Sequence, residues 1–136
     1  MQTILLVDDD TNVRRSVRYV LKNQGYRIIE APSGSAALET LRREPVDLVV
    51  LDLVMPEMDG TIVCDRIRST PAWSQLPIIV FTVMRGELCR DWRHYMHADA
   101  CLLKPFQVGE LLALVRSLLD RPEAAASASS TGNCGP

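Results

Sequence analysis

No apolar run in this chain approaches the roughly 18 residues that a membrane-spanning helix needs, so no transmembrane segment is expected. The start of the chain shows no basic-then-apolar leader and enters a strand almost at once, which points to a cytoplasmic protein. The four cysteines, Cys64, Cys89, Cys101 and Cys134, are scattered and form no C-x-x-C pair. That spacing argues against a zinc site or a disulfide framework, and for small buried thiols. Positive charge is not in excess: the formal net charge is -2, which leaves no electrostatic footprint for nucleic acid. Lysine is scarce. Only Lys22 and Lys104 occur, against thirteen arginines, so a lysine in a special place stands out for its chemistry. No internal repeat is present. What remains is ordinary: 136 residues, 47% apolar and 24% charged, describe one globular domain with a single core.

The most informative stretch is Val46 to Gly60, VDLVVLDLVMPEMDG. Leu48 to Leu51 is a continuous apolar run, as expected of a strand buried on both faces of a parallel sheet. Asp52 falls near its C-terminal end, and Pro56 with Asp59-Gly60 marks a turn beyond it. A carboxylate at the end of a buried strand is costly unless something pairs with it. That end is also where open α/β sheets bind ligands.

Taken in order, Thr3 to Val7 reads as a strand that ends in three acids, Asp8, Asp9 and Asp10. Thr11 to Gln24 reads as a helix, with Val13, Val17, Val20 and Leu21 inward and Arg14, Arg15, Arg18 and Lys22 on the solvated side. Gly25 is placed as its C-cap. Tyr26 to Glu30 is a second strand, and Ser33 caps a helix to about Arg43. After the central strand come a helix from about Gly60 to Ser69 and a loop from Thr70 to Leu76. Ile78 to Thr82 is a fourth strand. Arg85 to about His97 is a helix with a less clean pattern, and Ala100 to Leu103 is a fifth strand. Gln107 to Leu119 is the last helix, with Val108, Leu111, Leu112, Val115, Leu118 and Leu119 facing in. Residues 1–120 make one domain, and the Ala/Ser-rich tail 121–136 is expected to be disordered.

Strands alternating with helices imply a doubly wound, flavodoxin-like α/β fold with a five-stranded parallel sheet. In the common order 2-1-3-4-5, strands one and three are neighbours at the switch point. Asp8 and Asp9 then lie beside Asp52, while Thr82 and Lys104 end strands four and five on the same edge. Each residue alone has a plain structural role. Asp8 to Asp10 can cap a helix, Thr82 can be a strand residue, and Lys104 can be a solvated charge. Together they suit something more specific. Clustered carboxylates repel until a hard cation such as Mg2+ joins them. One of them can attack phosphorus to give an aspartyl phosphate, with a lysine and a hydroxyl on the phosphoryl oxygens.

The pieces LLVDDD (Leu5 to Asp10), LDLVMPEMDG (Leu51 to Gly60), PIIVFT (Pro77 to Thr82) and KPF (Lys104 to Phe106) resemble the receiver domain of bacterial two-component response regulators. The resemblance covers about Thr3 to Leu119. It implies that Asp52 accepts a phosphoryl group from a histidine kinase or phosphotransfer protein. It implies Mg2+, with Mn2+ as an alternative, held by Asp8, Asp9, Asp52 and the backbone carbonyl of Val54. Thr82 and Lys104 would bind the phosphoryl oxygens. The face from Arg85 to Leu119 would carry the signal to a protein target, without direct nucleic-acid or membrane contact and with a homodimer left open. No enzymatic turnover is expected beyond self-catalysed phosphoryl acceptance and autodephosphorylation.

Three departures from the family pattern bear on the switch. Cys101 stands where the family usually has an aromatic, so an aromatic-rotamer switch is in doubt. Val83 replaces an often small residue beside the site. Val54 and Met84, both apolar, are expected to shield an acyl phosphate from water and lengthen its life. His94 and His97 share a helix face but lack a third ligand. A haloacid-dehalogenase-type phosphatase would need a second acid where Val54 stands. A flavodoxin-like cofactor binder would need a Ser/Thr/Gly loop where Asp8 to Asp10 stand. No output domain is recognised after Leu119, which suggests a stand-alone receiver or, alternatively, a module cut from a hybrid kinase or larger regulator.

Overall fold

The computed structural model describes residues 1–53, 55, 58, 60–82, 98–103 and 107–120, with Thr82 described in its backbone alone. Expectations for Val54, Val83, Met84, Lys104, the helix at 85–97 and the tail from 121 fall outside these residues.

Five short strands form one parallel sheet in the order β2-β1-β3-β4-β5. They are β1 (Thr3–Val7), β2 (Arg27–Ala31), β3 (Leu48–Asp52), β4 (Ile78–Thr82) and β5 (Ala100–Leu103). The alternation of side chains across a strand divides the core in two. Leu5, Val7, Val49, Leu51, Ile78 and Val80 pack with α2 (Gly34–Arg43) and α3 (Gly60–Ser69). Ile4, Leu6, Leu48, Val50, Ile79 and Phe81 pack with α1 (Thr11–Asn23) and α4 (Val108–Leu119). Because both faces are covered, β1 and β3 are buried at every position, which is why they read as unbroken apolar runs.

The helix ends follow local chemistry. Asp10 caps α1 by accepting from the N–H groups of Asn12 and Val13 at 2.9 and 3.3 Å. Ser33 caps α2 through Ala36 N–H at 3.1 Å. Gly25, at φ +93°, closes α1 in a Schellman turn. Its N–H donates to Lys22 O at 3.0 Å, and Tyr26 N–H donates to Leu21 O at 3.4 Å. That turn takes up Gln24 and Tyr26. The helix therefore stops at Asn23 and β2 starts at Arg27, slightly later than the apolar pattern suggests. The loop after α3 contains a 3-10 turn, Pro71–Trp73, with proline at its start. It is held by Arg68, which donates to Leu76 O at 2.6 Å and to Asp99 at 2.9 Å.

Two side chains depart from their expected faces. Val108 is 51% exposed, because the buried stripe of α4 begins one turn later at Leu111 and runs through Val115 and Leu118. Arg14 is not on the solvated side: its side chain is 14% exposed and turned back toward Asp8 and Glu30.

Of the described cysteines, Cys64 is buried and Cys101 half-buried. Burial, partly offset by the Arg68 guanidinium, pushes the Cys64 thiol from 9.0 up to about 12. An unfolded thiol ionises near its ordinary value while the folded one stays protonated. Cys64 therefore contributes stability that is complete below pH 9.0 and is lost as pH rises toward about 12. At pH 8, iodoacetamide should modify Cys101 ahead of Cys64, and Cys64 should react only on addition of denaturant. Equal rates in mass spectra of the folded protein would contradict this.

Candidate functional site

The sheet register builds the site. Val7 pairs with Leu51 across β1 and β3, so one step further along both strands sets Asp8 beside Asp52. Asp8 is fully buried, Asp52 is 6% exposed, and Asp9 faces solvent. One carboxylate oxygen from each of the three lies within 4.8 Å of the others. The sequence expectation for Asp8, Asp9 and Asp52 is thus met in space: residues far apart along the chain meet at one end of the sheet.

The main chain around these acids is firmly held. Asp8 N–H donates to Ala31 O at 3.2 Å. The Asp8 carboxylate accepts from Asp10 N–H at 2.9 Å, an Asx-type turn that bends the chain into α1. On the other strand, Leu53 N–H donates to Phe81 O at 2.9 Å and Gly60 N–H donates to Leu53 O at 2.7 Å. Gly60 lies so close that a Cβ there would stand 2.7 Å from both Asp52 O and Leu53 Cα. The sequence marks Gly60 as a turn residue. Its structural reason is this close approach, since only Gly25 has a positive φ among the described glycines.

The donor set fits a hard divalent cation. Octahedral Mg2+ with oxygens at about 2.1 Å separates its ligands by about 3 Å when adjacent and about 4.2 Å when opposite. Carboxylate oxygens that all lie within 4.8 Å of one another are close in spacing to that geometry. Three hard anionic oxygens suit Mg2+ or Mn2+ better than a soft metal.

Of the remaining expected site residues, Thr82 ends β4 and its backbone pairs with Leu103 of β5, the residue just before Lys104. The Thr82 side chain, Val54 and Lys104 lie outside the described residues. Two residues were not singled out from sequence. Arg14 donates from Nη1 to the Asp8 carbonyl at 2.7 Å and from Nε to Glu30 Oε1 at 3.2 Å. The available signal was position: Arg14 sits one helical turn past the Asp10 cap, and helical side chains lean toward the N-terminus.

Fold and site together define a doubly wound α/β domain with a carboxylate cluster at its switch point. The sequence profile of the response regulator receiver domain matches residues 4–116. The chain belongs to this family, a signalling fold of two-component systems. It is 44% identical over 118 residues to the response regulator MprA of Mycobacterium leprae, an alignment covering 87% of this chain and 51% of that protein. The chain spans about half the length of the curated relatives it matches. Among solved structures, it resembles the receiver domain of a signal transduction histidine kinase from Syntrophus aciditrophicus. There the TM-score is 0.84 and the identity 26%, over 90% of this chain and 93% of that one. It also resembles the response regulator TrrA of Thermotoga maritima in complex with Mg2+ and BeF, with TM-score 0.78, 34% identity and coverage of 88% and 100%. No described helix is long and apolar enough to cross a membrane.

Proposed function

We propose that residues 1–120 form a receiver unit in which Asp52 accepts a phosphoryl group from a phosphohistidine on a partner kinase or phosphotransfer protein. The carrying observation is the convergence of Asp8, Asp9 and Asp52 at one end of the sheet. In the transfer, an Asp52 carboxylate oxygen forms a bond to phosphorus as the phosphorus–nitrogen bond to the donor imidazole breaks. The product is an acyl phosphate and a free histidine. Asp8, Asp9, Asp52 and the Val54 carbonyl would hold Mg2+, which when bound supplies positive charge to offset the carboxylates and the incoming phosphoryl oxygens. Asp52 is well suited as the acceptor because it ends a strand buried at every position, at the end of the sheet where Asp8 and Asp9 meet it. Thr82 would hydrogen-bond one phosphoryl oxygen and Lys104 would pair with another. The resulting bias would be read by a protein partner on the face from Arg85 to Leu119.

A second reading has its own support. The half-length coverage of the curated relatives favours a receiver that works as one module of a longer regulator. The phosphoryl chemistry is the same in both cases.

Labelled acetyl phosphate tests the proposal on the whole chain. With Mg2+ the protein should take up label to at most one phosphoryl per chain, and EDTA should abolish uptake. An Asp9→Ala protein should need about tenfold more Mg2+ for half-maximal labelling. Continuous release of phosphate with many turnovers would favour a phosphatase. A coloured, cofactor-bearing protein that takes no label would favour a flavodoxin-like binder.

A further inference from the structure

We infer that Arg14, backed by Glu30, is a positioning residue for the metal-binding loop: it fixes the Asp8–Asp9 peptide and thereby aims the Asp8 and Asp9 carboxylates. The inference rests on the Mg2+ reading above and adds residues that the three-acid cluster does not contain.

The geometry closes a ring. Arg14 Nη1 donates to Asp8 O at 2.7 Å and Arg14 Nε donates to Glu30 Oε1 at 3.2 Å. Glu30 is followed by Ala31, whose carbonyl accepts the Asp8 N–H at 3.2 Å. The last two residues of β2 therefore hold both sides of Asp8, one through the backbone and one through the Arg14 guanidinium. The Asp8 carbonyl belongs to the peptide group that joins Asp8 to Asp9. That group is planar, so pinning its oxygen sets the direction in which the chain enters Asp9. Asp9 is the exposed member of the cluster, and no strand pairing holds its side chain in place.

Magnitude and sign separate this role from two simpler ones. An ordinary surface ion pair is worth about 0–1 kcal/mol and orients nothing. Here the Arg14 side chain is 14% exposed and its guanidinium is shared between a carbonyl and a carboxylate, a planar fork that lysine cannot reproduce. A second simple role is that of a counter-cation to the three acids. Such a cation would compete with Mg2+, and its removal would tighten metal binding. Glu30, paired to Arg14 at 3.2 Å, offsets much of its charge, while the second cation on that carboxylate, Arg18 at 3.6 Å, is 46% exposed and screened by water. The hydrogen bond to the Asp8 carbonyl is then the larger effect, so removing Arg14 should weaken Mg2+ binding even though it removes a positive charge.

The test is isothermal titration of the full chain with MgCl2. The variants are Arg14→Met, Glu30→Gln and the two combined, with thermal melts recorded alongside. The Mg2+ Kd should rise about tenfold in Arg14→Met, the low end for loss of a ligand-orienting partner. It should rise by a smaller factor in Glu30→Gln. The double variant should bind no more weakly than Arg14→Met, because Glu30 acts through Arg14. Arg14→Met binding Mg2+ as well as the parent, or more tightly, overturns the inference, as does strict additivity of the two losses. If Arg14→Met does not fold, Arg14→Lys carries the test: it keeps the charge without the fork, so an unchanged Kd overturns the inference and a raised one supports it. A parent chain that binds no Mg2+ defeats the underlying metal reading itself, and this inference with it.

Discussion

An Asp52→Asn protein, given labelled acetyl phosphate and Mg2+, takes up less than about a hundredth of the label of its parent, because an amide oxygen is a poor nucleophile toward phosphorus. The loss is chemical and not structural. Asn keeps the size of Asp, and Asp52 sits among like charges with Asp8 and Asp9 close by. Removing one of three clustered negative charges relieves repulsion, so the melting temperature should stay level or rise. Mg2+ affinity should fall at the same time, since one anionic donor is gone. The combination is diagnostic: label lost, metal weakened, fold kept. Undiminished labelling of the variant, or label recovered on Asp8 or Asp9 by peptide mapping, would overturn the assignment of Asp52 as acceptor.

The second large effect is at Gly60. Gly60→Ala should lower stability by about 2–3 kcal/mol, as expected when a methyl is forced into a packed contact. For a domain of this size that corresponds to a fall of about 10 °C in melting temperature. The cause is local. The new Cβ would stand 2.7 Å from Asp52 O and Leu53 Cα, and both are backbone atoms that cannot swing away. Either α3 moves off the sheet or the chain that carries Asp52 shifts. Both distort the site. Gly60→Ala should therefore also slow labelling at temperatures where it is fully folded. A core truncation at the opposite end of the sheet, such as Leu118→Ala, in the last turn of α4 where Gln2, just before β1, donates to Leu119 O, should destabilise without that second effect. Gly60→Ala melting like its parent and labelling at the parent rate would show that the contact is easily relieved.

Much of the fold was legible because its strands are buried on both faces. Leu48 to Leu51 and Ile4 to Val7 read as strands without ambiguity, since a parallel sheet covered by helices leaves no polar side to interrupt them. Alternation and connection rules leave few topologies, and the observed order is one of the common doubly wound arrangements among them. Asp10 and Ser33 were legible as caps because a cap is a local hydrogen bond between near neighbours in sequence. Arg14 was misplaced for a related reason. An amphipathic pattern assigns charge to the solvated side, but a long side chain that leans toward the helix start can reach back over the loop before it. Val108 was misplaced because periodicity does not say at which turn a helix first meets the sheet.

By itself the sequence determined the class of fold, the apolar strands and the acids that end β1 and β3; a common strand order then brings those acids together. Strand burial, capping and connection handedness are set by local composition and short-range geometry. Only the tertiary structure decided that Asp52 depends on a glycine eight residues later, and that Arg14 and Glu30 brace the Asp8 main chain. Those contacts join separate elements across the top of the sheet. Their distances come from how strands and helices pack, and no spacing along the chain encodes them.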